Sequence, residues 1–239
     1  MKKHFPWIVS LGAALLLGGC DEAQAPSAEA TPPARWQMSA EYVANTMFKS
    51  DAAIAEALQY HEIARLDGNE LPGGVYARYR RMAGNMRLKP LPALYLDAMD
   101  ERTLPQAMAR FTREGRALVI VNPAALDAWS PRELVAVLGH ELVHLKERHV
   151  TAENLALAFN HAELSVEHEL TADREGSGPL GSCDPEALRD ALQIVFDMDR
   201  SRQGRQGDFD SLTGADHPTS EQRLAALDAM AENPPRGCR

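Results

Sequence analysis

Apolar and polar positions alternate along the chain with two different periods, and these divide it into elements. From Ser39 to about Leu66, Tyr42, Val43, Thr46, Met47, Ile54, Leu58 and Ile63 recur at helical spacing, predicting one or two helices ended by Asp67-Gly68-Asn69. A second helical stretch runs from Val75 to about Met86. Ala93–Asp97 and Ala117–Val121 are short aliphatic runs bounded by turn residues and read as strands. Gln106 to Phe111 is a third candidate strand, paired with 117–121 through the turn at Arg113-Glu114-Gly115, so that a small sheet presents an exposed edge.

The sharpest helix signal starts at Ser130. Ser130 and Glu133 have capping-box spacing, Pro131 occupies the first helical position, and Leu134, Val135, Leu138, Leu142 and Leu145 supply a buried face, predicting a helix from Pro131 to about His149. Further helices are expected over the stretch that ends at Arg174-Glu175-Gly176, from Asp184-Pro185 to about Arg200, and from about Thr219 to Met230, with a polar loop over 201–214. The fold class is therefore α+β and mainly helical, with a small sheet.

The first residues follow a different rule. Lys2 and Lys3 precede the apolar stretch Ile8 to Leu17, which is too short for a membrane span, so residues 1–19 read as a signal peptide. Its end, Leu17-Gly18-Gly19-Cys20, resembles the lipobox of bacterial lipoproteins, which implies cleavage before Cys20 and acylation of that residue. Acylation of thiol and amino group gives stable membrane anchoring. Asp21 resembles a signal for retention in the inner membrane, so the expected location is the periplasm, anchored to a membrane, with the inner one favoured and the outer one open. Residues 20–35 are rich in Ala, Pro, Glu and Ser and form an expected flexible tether, leaving 36–239 as the folded domain.

Composition narrows the partners. With 45% hydrophobic residues the chain has enough apolar material for one core, and its net charge of −9 becomes more acidic once the two lysines of the leader are removed. An acidic surface without a basic cluster argues against nucleic acid. Cys183 and Cys238 remain in the mature part, in a compartment that permits disulfides; one intramolecular pairing is open to them, and two free thiols are the alternative.

Candidate chemistry sits in the best-capped helix, at His140-Glu141-Leu142-Val143-His144. Residues i and i+4 of a helix lie one above the other, so both imidazoles can reach one metal ion, and Glu141 beside them can take a proton from water. A catalytic zinc needs a third protein ligand and an open position. Glu147 and Val150 stand where a metzincin would have Gly and His, excluding that class. His149, five residues beyond His144, points elsewhere on a continuous helix and reads as a packing or capping residue. Glu169 and Asp173 lie at i and i+4 downstream: Glu169 is the natural third ligand, and Asp173 is placed to hold the other ring nitrogen of a zinc histidine.

His140-Glu-Leu-Val-His144 with Arg148-His149 behind it, Glu169-Leu-Thr-Ala-Asp173-Arg-Glu-Gly176, and Asp216-His217-Pro218 with Arg223 together resemble the M48 metallopeptidases. The resemblance covers roughly residues 36–231 and implies a compact zincin fold of the glutamate-ligand kind, holding one zinc per chain. It places His217 near the zinc, stabilising the oxyanion or filling the open coordination position; Arg223 would orient His217 or a neighbouring carboxylate, with an ordinary surface arginine as the alternative. The hairpin Pro105-Gln-Ala-Met-Ala-Arg-Phe111 departs from the Asn-Ala pair and glycine common in the family. Lipid-anchored periplasmic members look most similar, so the expected activity is cleavage of unfolded or misassembled envelope proteins, bound as extended chains. The rival reading is a chaperone-like protein whose zinc site is gated by His217. A third is a structural lipoprotein with a vestigial motif and no metal.

Overall fold

The computed structural model describes residues 39–68, 70–160, 162–203 and 219–238. Cys20, the leader, the tether, His217 and all of the polar loop after residue 203 lie outside the described residues. No helix among those described is long and apolar enough to cross a membrane.

Two helices, α1 (Ala40–Met47) and α2 (Asp51–Gln59), open the described chain, with Ser50 capping the second: its Oγ accepts the Ala53 N–H at 3.1 Å. The expected helical run then breaks. Ile63–Arg65 is a strand, β1, not a continuation of the helix. Its apolar residue, Ile63, is fully buried by pairing with β2 (Ala93–Asp97), a tertiary contact that overrides the local spacing. After a tight turn at Pro72–Gly74, α3 (Val75–Asn85) leads to β2.

The strands β3 (Ala107–Phe111) and β4 (Ala117–Val121) complete a sheet of order β1-β2-β4-β3. β3 and β4 are antiparallel, with Ala109 opposite Val119, while β2 and β4 are parallel. β3 therefore ends the sheet, as the sequence predicts. Leu94, Ala109, Val119 and Val121 face the main core, whereas Tyr95, Leu118 and Ile120 face Ile54 and Ala57 of α2. Burial on both faces explains why these strands are continuous apolar runs rather than alternating ones.

A short helix, α4 (Pro123–Ala128), follows at once; Asn122 caps it by accepting the Ala125 N–H, where the sequence suggested only a strand terminator. The central helix α5 (Pro131–Lys146) has its capping box formed in both directions, with Glu133 Oε2 accepting the Ser130 N–H at 2.7 Å. Every residue from Leu134 to Leu145 is buried, because α5 is enclosed by α3, α7, α8 and β3. It ends at Lys146, short of the expected His149.

The stretch to Gly176 is two helices, α6 (Ala152–Asn160) and α7 (Ala162–Gly176), followed by α8 (Pro185–Gln203) and α9 (Ser220–Glu232). α5 and α7 cross almost backbone to backbone. A Cβ on Gly139 would lie 2.8 Å from Gly176 O, and one on Gly176 would lie 2.7 Å from the His140 nitrogen. Cys183 and Cys238 are joined by a disulfide that closes a loop of 55 residues around α8 and α9. In the chain-entropy view such a loop contributes about 4 kcal/mol.

Candidate active site

The crossing of α5 and α7 brings three donors together. His140 Nε2 and His144 Nε2 face each other at 3.0 Å, and Glu169 presents Oε2 at 3.5 Å to the first and Oε1 at 3.4 Å to the second. One ligand atom from each lies within 4.8 Å of the others. Both histidines are 6% exposed, and the Glu169 side chain is the more open at 21%. Two imidazole nitrogens at that separation repel unless a proton or cation lies between them. A nitrogen, nitrogen and carboxylate set, buried on the helix side and open beside Glu169, fits a zinc ion with a position left for solvent or substrate.

Charge in the site is arranged in the same sense. Against the effect of burial, the Asp173 and Glu169 carboxylates raise the pKa of His140, while burial lowers that of His144. Glu169, despite its burial, stays well below the usual carboxylate range because of His144 and Arg223. The carboxylates of Asp173 and Glu169 thus favour positive charge on this cluster, the sense of charge a divalent ion would supply.

Each donor has support behind it. His140 Nδ1 lies 2.9 Å from Asp173 Oδ1, one helical turn beyond Glu169 on α7. Asp173, with a side chain 2% exposed, in turn receives two hydrogen bonds from Arg223 of α9: Nε donates to Oδ2 at 2.8 Å and Nη2 to Oδ1 at 2.6 Å. Arg223 Nη1 also reaches Glu169 Oε2 at 3.3 Å. Arg223 thus lies against both neighbouring carboxylates, while His217, the other partner the sequence offers it, lies outside the described residues.

Glu141 is held by the sheet. Its Oε2 accepts the Ala109 N–H of β3 at 2.6 Å, which fixes the carboxylate beside His140 on the edge strand. Burial pushes its carboxyl up to about 7, with the charge of His140 and the Ala109 N–H pulling the other way. The neighbouring Arg110, whose Nη1 donates to Ala109 O at 3.0 Å, is a further charge near Glu141. No spacing along the chain could have signalled the bond between Glu141 and Ala109, which joins residues 32 positions apart.

His149 differs from expectation. It does not point away along α5, because Arg148 adopts φ 60° and turns the chain back, setting His149 Nδ1 3.2 Å from His144 Nδ1. The His149 ring also stacks on His168, with ring centroids 4.0 Å apart and an interplanar angle of 12°. Burial and the neighbouring His168 bring His149 down to about 4, so it is neutral near pH 7.

A mainly helical fold with a small sheet, carrying two helix-borne histidines, an adjacent glutamate and a third carboxylate from a second helix, has the architecture of a compact zincin-type metallopeptidase. Residues 73–162 match the model of Peptidase family M48. Relatives named Protease HtpX homolog include one from Pseudarthrobacter chlorophenolicus, 26% identical over 181 residues that cover 73% of this chain and 57% of the relative. Another, from Arthrobacter sp., is 27% identical over 203 residues, covering 82% and 65%. A third, from Campylobacter hominis, is 30% identical over 102 residues, covering 43% and 34%. The chain thus spans between a third and two thirds of the length of these relatives. Together the family match and the relatives support an M48-family metallopeptidase.

Proposed function

We propose that this chain is a zinc-dependent endopeptidase that hydrolyses peptide bonds in unfolded or misassembled proteins of the bacterial envelope, tethered to a membrane by acylated Cys20. The observation that carries the catalytic part is the convergence of His140, His144 and Glu169 with Glu141 beside them. The protease names of the relatives agree with it. The envelope setting rests on the lipobox-like Leu17-Gly18-Gly19-Cys20 and the apolar leader before it.

A zinc ion held by His140, His144 and Glu169 would polarise the scissile carbonyl and acidify a water. Glu141 takes a proton from the attacking water and passes it to the leaving nitrogen, the two halves of general acid–base catalysis. Arg223 and Asp173 hold His140 and Glu169 in place throughout. The substrate lies extended beside β3, which has no strand on its outer side among the described residues, so that backbone hydrogen bonds hold it with little demand on sequence.

The test is Glu141→Gln in the full-length protein. Glutamine keeps an oxygen for the Ala109 N–H, so the fold and zinc content should be unchanged, while cleavage of an unfolded protein such as casein should fall by about 10²- to 10⁴-fold. Turnover retained by E141Q refutes the assigned base. Rescue of a deletion strain by an inactive E141Q would instead favour the chaperone-like role.

A further inference from the structure

We propose that His149 is a positioning residue for the metal site: its Nδ1 accepts the proton on His144 Nδ1 and so keeps His144 Nε2 bare and aimed at the ion. This inference rests on the zinc reading above.

A histidine that binds a metal through one ring nitrogen gives the proton on its other nitrogen to an acceptor, and that acceptor fixes both tautomer and ring angle. For His140 the group at Nδ1 is the Asp173 carboxylate, 2.9 Å away. For His144 it is a second imidazole: His149 Nδ1 at 3.2 Å, with the rings 75° apart in an edge-on arrangement. The protons then follow from valence. His144 turns Nε2 toward His140 and Glu169, so its proton is on Nδ1. His149 Nδ1 must be the bare nitrogen, and His149 carries its own proton on Nε2.

The backbone is shaped to deliver this ring. On an unbroken α-helix the fifth residue after His144 would lie about 140° around the axis from it, out of reach. Instead α5 stops at Lys146, Arg148 takes a left-handed conformation that a non-glycine residue seldom adopts, and the His149 N–H reaches back to the His144 carbonyl at 2.9 Å. Such a conformation persists where its surroundings fix it, and they do: His149 is 8% exposed and lies flat against His168. His168 immediately precedes Glu169 on α7. One imidazole therefore ties the end of the helix that carries His144 to the helix that carries the third donor.

Two substitutions separate the nitrogen from the ring. His149→Phe keeps a flat ring to stack on His168 and removes the acceptor; His149→Asn keeps an acceptor near the Nδ1 position and removes the ring. Zinc occupancy of the full-length protein would be titrated against a competing chelator, alongside thermal unfolding of the metal-free form. H149F should bind zinc 10- to 100-fold more weakly, with the metal-free unfolding temperature unchanged, while H149N should stay within a few-fold of wild type. Wild-type affinity in H149F overturns the inference. So does an equal loss in both variants accompanied by a lower metal-free unfolding temperature, the signature of a merely structural residue. Wild-type protein that takes up no zinc at all overturns the zinc reading, and this inference with it.

Discussion

Arg223 is the residue on which the charge balance of the site turns, and its replacement by methionine is a quantitative test. The guanidinium, in a side chain 14% exposed, makes two hydrogen bonds to Asp173 and a third contact to Glu169, so R223M leaves two enclosed carboxylates facing each other without their counter-charge. Removing one partner of a buried ion pair destabilises a protein by about 3–5 kcal/mol, because the partner left behind has lost its solvation and regained nothing. For a domain of this size that corresponds to a fall of about 6–20 °C in unfolding temperature. Urea unfolding should be measured with chelator present, so that zinc does not supply the missing charge, for wild type, R223M, D173N and the double variant. The cycle should give a coupling of about 2 kcal/mol or more. A coupling below about 0.5 kcal/mol, the value of an ordinary exposed pair, would refute the claim that Arg223 and Asp173 act as one buried unit.

Three further outcomes follow from other parts of the fold. Gly176→Ala sets a methyl group 2.7 Å from the His140 nitrogen, so the helices must separate; a loss of about 1–3 kcal/mol together with weaker zinc binding is expected, and unchanged zinc affinity in G176A would show that the crossing does not set the donor geometry. Asp97 is 4% exposed, and burial raises its carboxyl from an ordinary 3.8 to about 6, with Asp100 adding to the rise and the Met99 N–H opposing it. The native state therefore holds this proton more tightly than the unfolded chain: its penalty is absent below about pH 4 and complete above about pH 6. Wild type should lose on the order of 1–3 kcal/mol relative to Asp97→Asn across that interval, and parallel urea-midpoint curves for the two proteins would contradict it. Reduction of Cys183–Cys238, or Cys183→Ser with Cys238→Ser, should lower stability by up to about 4 kcal/mol with zinc still bound at saturation, readable from denaturant midpoints and metal content; midpoints unmoved by reduction would show that the cross-link does not restrain the unfolded chain.

What the sequence disclosed was whatever a regular element repeats. The i, i+4 spacing on α5 and again on α7 was readable because a helix turns such pairs onto one side, and Ser130 with Glu133 marked where the register starts. The strands at 93–97 and 117–121 stood out because both their faces are buried. β1 did not, since three residues are too few to establish a period and Ile63 fell in step with the helix before it. The parallel placement of β4 beside β2, the grip of Ala109 on Glu141 and the close passage of Gly139 and Gly176 all depend on contacts between distant stretches. Gly176 was legible as a helix terminator but not as a contact point. His149 was misread for a local reason: a single left-handed residue, Arg148, ends the helix early, and arginine carries no sequence signal for that conformation.

The way α7 and α9 close over α5 has a practical result for anyone shortening this protein. A fragment trimmed to the family-matched stretch 73–162 would retain His140, Glu141 and His144 yet discard Glu169, Asp173 and Arg223, the third arm of the clasp and both of its braces. Such a piece would keep only two of the three donors. Any workable cut must lie downstream of α9, the helix that carries Arg223.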